Sequence, residues 1–316
     1  MLYALLRKEP AMSLSYAQRL EDTHLDLIFA DQATGFYIDV GGGHPVADNV
    51  SLHFYAKGWR GLVIEPQARL AAIHRALRPR DIVIEGLVGR EQGEALFHQV
   101  ARFHGFSTTI STHAAAAAEL GANVEASHKP VTTLAKLCED HDITMIDFLK
   151  VDVEGAEADV LAGADLARFR PRVIIVEAVA PGTMAPSHES FEPIILPHNY
   201  VLAFEDGLNR FYVRAEERGL AARFPAQPLA WDSVDHLYDH GRAAENKGHV
   251  DHALALALSR GFLASLPELS LDEVRAVAAE GAGSSANPAS SLDDDSLRLA
   301  LGRICAAYDG GHLMDD

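Results

Sequence analysis

Apolar runs of strand length recur along this chain at 36–40, 61–64, 81–85, 148–151, 173–176, 200–204 and 210–213, with helical stretches between most of them. Parallel strands need a long crossover, usually a helix, so this alternation is the pattern of a parallel α/β sheet. The last two runs are separated by Glu205-Asp206-Gly207-Leu208-Asn209 and read as a hairpin with a five-residue loop. Helical apolar spacing over 51–57, 66–77 and 131–140 supplies crossovers. The expected fold is α/β: a doubly wound, Rossmann-like sheet of seven mostly parallel strands with an antiparallel C-terminal hairpin. After about Gly219 the pattern changes. Residues 251–263 and 271–280 read as helices, and Gly281-Ala282-Gly283-Ser284-Ser285-Ala286-Asn287-Pro288 is linker-like. A helical C-terminal appendage over 220–316, with a flexible joint near 281–291, is therefore expected.

Bulk properties narrow the partners. The 316 residues are 48% hydrophobic and 23% charged, ordinary values for a globular chain, and the net charge is -18. Tracking a phosphate backbone needs clustered Lys and Arg, so a nucleic-acid partner is disfavoured. Two cysteines, Cys138 and Cys305, form neither a disulfide framework nor a zinc pattern, and a reducing cytoplasm fits best. The apolar stretch at 2–6 is too short for a secretory signal, and no run approaches a membrane span, so a soluble protein without membrane insertion is expected.

Within the first strand, Phe36-Tyr37-Ile38-Asp39-Val40 runs straight into Gly41-Gly42-Gly43. Glycines at a carboxyl strand end let the main chain approach a ligand closely, as nucleotide-like cofactors require. A dinucleotide fingerprint wants G-x-G-x-x-G, whereas Gly41-Gly42-Gly43-His44-Pro45-Val46 lacks the last glycine. Pro45 also removes a backbone donor that a pyrophosphate would use. The mismatch favours S-adenosylmethionine, which has no pyrophosphate. Glu65, followed by Pro66, ends the second strand where a ribose diol would be accepted, a position that serves both cofactors.

The fourth strand carries Phe148-Leu149-Lys150-Val151-Asp152-Val153-Glu154-Gly155-Ala156-Glu157. Together with Gly58-Trp59-Arg60-Gly61-Leu62-Val63-Ile64-Glu65-Pro66 and Arg170-Pro171-Arg172-Val173-Ile174-Ile175-Val176-Glu177, it resembles the FkbM-type methyltransferase family over about residues 13–219. That resemblance implies a class I methyltransferase fold and S-adenosylmethionine as cofactor. It implies cofactor contacts from Gln18, Glu21, Asp39, Gly41, Gly42, Gly43, Glu65, Pro66, Leu87, Asp152, Glu154 and Gly155. The segment Ser15-Tyr16-Ala17-Gln18-Arg19-Leu20-Glu21-Asp22 is similar to one the family places over the cofactor, with a departure at Arg19. Ser107 and Thr108, in Gly105-Phe106-Ser107-Thr108-Thr109, and Asp206 and Asn209 in the hairpin look like family segments that would contact substrate, as would Glu177. The hairpin segment resembles members from bacterial polysaccharide and glycan pathways, so a hydroxyl of a sugar or a glycan or natural-product intermediate is the expected acceptor.

A sugar hydroxyl must lose its proton during methyl transfer, and histidine has the usual pKa for that base. His188, on the loop after the fifth strand, is the first candidate. His44 is the second, with organisation of the local backbone as an alternative role. Asp152 joins them as a candidate catalytic carboxylate that could instead hold the methionine amino group or cap the next helix. Asp152 and Glu177 end neighbouring strands and offer oxygen ligands to Mg²⁺, which the reading does not require. His236 and His240 stand four apart, a spacing that on a helix could bind zinc but fits a solvated face better. Two other readings stay open: a NAD(P)-dependent oxidoreductase, and a non-catalytic cofactor-binding protein in a glycan assembly complex. A homodimer is also compatible with the sequence.

Overall fold

The computed structural model describes residues 14–306 apart from 101–106, 120–121, 181–183, 259–265, 267–268 and 284. Expectations for 2–6, for Gly105 and Phe106 and for Pro181 to Thr183 lie outside the described residues. The chain first forms α1 (Glu21–Ile28), β1 (Phe36–Val40), α2 (Val50–Ala56), β2 (Arg60–Ile64), α3 (Ala68–Leu77) and β3 (Ile82–Ile84). Next come β4 (Leu87–Val88), β5 (Gly93–Val100), α4 (Ser111–Glu119), β6 (Val124–Thr132), α5 (Leu134–Asp140), β7 (Phe148–Val151), α6 (Glu157–Ala162) and β8 (Val173–Glu177). The remainder holds α7 (Glu192–Ile195), β9 (Tyr200–Glu205), β10 (Asn209–Arg214), α8 (Arg218–Ala221), α9 (Leu237–His240), α10 (His252–Ala257), α11 (Leu271–Ala282) and α12 (Asp294–Ala306).

Seven strands form the main sheet in the order β3-β2-β1-β7-β8-β10-β9. All pairs are parallel except those of β10, which runs antiparallel to β8 and β9. The order reverses between β1 and β7, which creates a crevice at their carboxyl ends. The hairpin loop is tighter than expected, because Glu205 and Asn209 belong to the strands. Asp206 closes it by accepting from the amides of Leu208 (2.9 Å) and Asn209 (2.6 Å).

Alternation along the strands divides the core. Tyr37, Val63, Phe148, Val173, Ile175 and Phe211 pack in one apolar cluster, and Ile38, Val40, Leu62, Ile64, Leu149, Val151, Ile174 and Val176 in another. Phe54 and Trp59 are core residues of the first cluster, their rings 4.8 Å apart. Val274, Ala278, Leu297, Leu301, Ile304 and Cys305 of the C-terminal helices belong to this same cluster. Gly302 lets α12 sit against Val46 and Leu77. In the stretch expected as a joint, Gly281 abuts the Ala257 carbonyl and Ala289 is fully buried. Among the described residues no helix is long and apolar enough to cross a membrane.

Two corrections concern local structure. A second sheet, β4-β6-β5, was not legible in the sequence. Its β6 stretch, Val-Glu-Ala-Ser-His-Lys-Pro-Val-Thr, is mostly exposed and lacks an apolar run to mark it. The helix expected over 131–140 begins only at Leu134, since Val131 and Thr132 pair in β6 and the Thr133 hydroxyl caps the helix at the Lys136 amide.

Gly41 shows how tightly the switch point is built. It adopts φ 80°, and a β-carbon there would lie 1.8 Å from the Asp152 carbonyl oxygen. Gly43, at φ 54°, would meet nothing within 4 Å. Gly41→Ala is therefore expected to cost about 3 kcal/mol or more from strain and overpacking together, and Gly43→Ala about 1–2 kcal/mol from the left-handed backbone alone. Urea unfolding of the two variants checks the order; equal losses would contradict it.

Candidate functional site

The site grows from the pairing of β1 with β7. Asp39 stands opposite Lys150 in the register, and the Asp152 amide continues the ladder by donating to the Val40 carbonyl (3.0 Å). Lys150 is 5% exposed, and its ammonium donates to Asp152 Oδ2 at 2.9 Å. Burial works against that charge, but the fields of Asp152 and Asp39 outweigh it and hold the ammonium above the ordinary lysine range. A fixed cation thus sits inside the strand ends.

Around it carboxylates collect. Ligand oxygens of Asp152, Glu154 and Glu177 all lie within 4.8 Å of one another, close enough to share a divalent cation with oxygen ligands. Burial, followed by Asp152 and Glu157, pushes Glu154 up to about 9; burial, followed by Asp152 and Glu154, pushes Glu177 up to about 10. Glu157 accepts from the amides of Gly155 (3.0 Å) and Val153 (3.3 Å) and so shapes the turn into α6. Glu154 adopts φ 56°, and Gly155, at φ 106°, packs against the His113 ring. Thr108 is buried and spends its hydroxyl on the Glu154 carbonyl (2.8 Å) and the Ile110 amide (3.0 Å). Ser107 similarly accepts from the Val100 amide at 3.0 Å. Thr108 thereby braces the loop that carries Glu154.

The glycine loop is held from the other side. Amides of Gly41 and Gly42 both donate to the Ile64 carbonyl, at 3.0 and 3.1 Å. Glu65 accepts from the Gly43 amide (2.8 Å) and the Gln67 amide (2.7 Å), and burial pushes its carboxyl up to about 7. His74 is buried, donates from Nε2 to the Gly43 carbonyl at 3.0 Å, and is held well below the usual histidine range by that burial. His44 takes the backbone-organising role: its Nδ1 accepts from the amides of Val46 and Ala47, both at 3.1 Å. Asp39 accepts from Ser51 Oγ at 2.5 Å, while its Oδ1 is buried without a hydrogen-bond partner among the described residues. Pro66 follows Glu65 half-buried, and Leu87 in β4 lines a cleft with Thr109, Ala156 and Asp159.

The segment before α1 meets the hairpin. Glu21 is buried and bonds Asn209 Nδ2 (2.8 Å) and the Arg19 amide (2.6 Å); burial and Asp206 push it up to about 8. Asp22 gathers the Ser15 hydroxyl and the Tyr16 amide, both at 2.7 Å, and Gln18 is exposed. Residues expected to touch cofactor and substrate, Glu21, Asp206 and Asn209, therefore form one cluster. His188 is half-buried in a short 3₁₀ turn after β8. His236 is a fully buried helix cap and not part of the solvated face expected for the pair with His240, and its Nε2 donates to the Ala17 carbonyl.

Lys150, Asp48 and Tyr238 received no role from the sequence. Lys150 was visible as the charged residue inside the apolar run Phe148-Leu149-Lys150-Val151. Asp48 adopts φ 53°, is raised above the usual carboxylate range by burial, feels Lys150 and Asp152, and accepts from the Tyr238 hydroxyl. Tyr238 lies far along the chain, and nothing in its local pattern marks it.

A comparison with protein-family models matches the methyltransferase FkbM domain over residues 39–202. Its span runs from Asp39 through Glu65, Lys150, Asp152 and Glu177, and stops short of Tyr238. No curated protein and no solved structure matches the chain.

Raised carboxyl pKa values give the site a signed pH dependence. Glu177 has an ordinary pKa of 4.5 when unfolded and about 10 when folded, so between those values the native state binds the extra proton and stability falls as pH rises. Glu177→Gln removes that loss. The variant's stability relative to the parent is expected to increase from pH 5 to pH 9 in paired urea titrations, which cancel the opposing contribution of buried histidines. A difference that stays flat or shrinks would contradict the cluster's electrostatics.

Proposed function

The chain belongs to the FkbM methyltransferase family, and from that premise we propose that it is an S-adenosylmethionine-dependent O-methyltransferase acting on a hydroxyl of a sugar or a glycan or natural-product intermediate. The single observation that carries the cofactor reading is the buried, unpartnered Asp39 Oδ1 beside the glycine loop. A buried carboxylate oxygen needs a donor, and the cofactor's ammonium is one. Gly43 has open space where a β-carbon would be, and Glu65 keeps lone pairs for ribose hydroxyls beyond its two backbone bonds. When bound, the cofactor supplies an electrophilic methyl group on a sulfonium.

The chain's own residues then do three things. The carboxyl groups of Asp39, Asp152, Glu154 and Glu177 suit a cationic cofactor, whose charge would favour the ionised forms of the two raised glutamates, while Lys150 is bonded to Asp152. Glu21, Asp206 and Asn209 tie the segment before α1 to the hairpin, and this contact holds the acceptor side of the crevice in place. His188, on the loop leaving β8, takes the acceptor proton at a ring nitrogen as the hydroxyl oxygen attacks. The sugar or glycan acceptor comes from the resemblance of the hairpin segment to glycan-pathway members.

Calorimetry should show S-adenosylhomocysteine binding to the pure protein, and labelled S-adenosylmethionine should pass its methyl to a polysaccharide precursor. Glu65→Ala is expected to weaken cofactor binding roughly 10-fold or more, the loss of one good hydrogen-bonded contact. His188→Ala is expected to reduce turnover about 100-fold with little change in affinity, the usual contribution of a general base. The reverse pattern would overturn the assignment. No step passes through a metal, so turnover should survive EDTA; loss of activity restored by Mg²⁺ would instead make Asp152, Glu154 and Glu177 ligands.

A further inference from the structure

We propose that Arg78 is a positioning residue for the amino-acid end of the cofactor, acting through Ser51 on Asp39 and through Asn49 on the glycine loop. The inference rests on the cofactor reading above. Arg78 follows α3 and is fully buried. A guanidinium presents a rigid planar fork of donors and stays charged, so its partners are fixed relative to one another. One edge is spent on structure: Nε donates to Asp81 Oδ2 at 2.8 Å, and Asp81 in turn accepts from the Tyr37 hydroxyl and the Gly61 amide.

Nη2 also donates to the Tyr37 hydroxyl (2.9 Å) and Nη1 to the Pro45 carbonyl (3.4 Å), and the same two nitrogens reach toward the site. Nη2 donates to Ser51 Oγ at 2.8 Å, and that hydroxyl donates its proton to Asp39 Oδ2 at 2.5 Å. Nη1 donates to Asn49 Oδ1 at 2.9 Å, and Asn49 Nδ2 donates to the Gly42 carbonyl at 2.9 Å. Each arm is two hydrogen bonds long, and each ends on a group at the carboxyl end of β1.

Those endpoints explain why the arms exist. Fixing Asp39 Oδ2 through Ser51 aims the unpartnered Oδ1 in one direction. Fixing the Gly42 carbonyl orients the Gly42–Gly43 peptide, whose amide points at Glu65. Were Arg78 only a structural ion pair with Asp81, neither Ser51 nor Asn49 would need to lie between it and the site. Arg78 touches neither Asp39 nor Gly42 by a hydrogen bond of its own, and the positioning runs through the two intermediaries.

The test compares S-adenosylhomocysteine, which carries the amino-acid end, with 5′-methylthioadenosine, which lacks it. Calorimetry with both is run on the parent chain, Ser51→Ala and Arg78→Lys, with thermal unfolding as a check. Ser51→Ala should weaken S-adenosylhomocysteine about 10-fold and leave 5′-methylthioadenosine within about twofold. Arg78→Lys keeps a charge beside Asp81 but lacks the fork, and should weaken S-adenosylhomocysteine more than 5′-methylthioadenosine even if Ser51→Ala fails to fold. Equal weakening of both ligands, or of neither, would overturn the positioning role. A parent chain that binds neither ligand would overturn the cofactor reading and this inference with it.

Discussion

One buried ammonium allows the rest of the site to exist. Lys150 lies in a central strand where an apolar side chain would be expected, opposite Asp39 and bonded to Asp152. Without it, Asp39, Asp152, Glu154 and Glu177 would confront one another in a partly desolvated crevice with no compensating charge. With it, their charge is only partly balanced. Burial and the neighbouring acids still raise Glu154 and Glu177 far above the usual carboxylate range, so near neutral pH they hold their protons. A cationic ligand would favour their ionised forms, which is how the proposed sulfonium-bearing cofactor would engage this cluster.

Close backbone packing gives those charges their positions. The Asp152 amide bonds the Val40 carbonyl, and Gly41 abuts the Asp152 carbonyl at a distance that admits no β-carbon. The glycine run therefore serves two purposes. Gly41 and Gly42 let the strand ends and the flanking Val63 and His74 approach, and Gly43 alone leaves space open. Backbone access to a ligand is narrower than three glycines in a row suggest.

The main sheet was legible because buried parallel strands are apolar runs, and their order follows from short crossovers and one hairpin. Sheet β4-β6-β5 was not, because β4 is only Leu87–Val88 and the mostly exposed β6 carries no apolar run to mark it. At the site, strand-end acids such as Asp39, Glu65, Asp152 and Glu177 were readable from position alone. The use made of Thr108 was not, since a threonine aimed at substrate and one bracing Glu154 look the same in sequence. Arg78, Ser51 and Asn49 were equally hidden, because bonds that close over 27 and 29 residues have no local pattern. The C-terminal region is tied to the site in a similar way. Ser15 pairs with the backbone around His236, and Tyr238 donates to Asp48 beside the carboxylate cluster.

A structure of the protein crystallised with S-adenosylhomocysteine tests the central claim most directly. The account predicts the ligand's amino group on Asp39 Oδ1, its ribose hydroxyls on Glu65, and its sulfur facing the Asp152, Glu154 and Glu177 carboxylates. A ligand bound away from the carboxyl ends of β1 and β7, or lying there with its ammonium remote from Asp39, would contradict it.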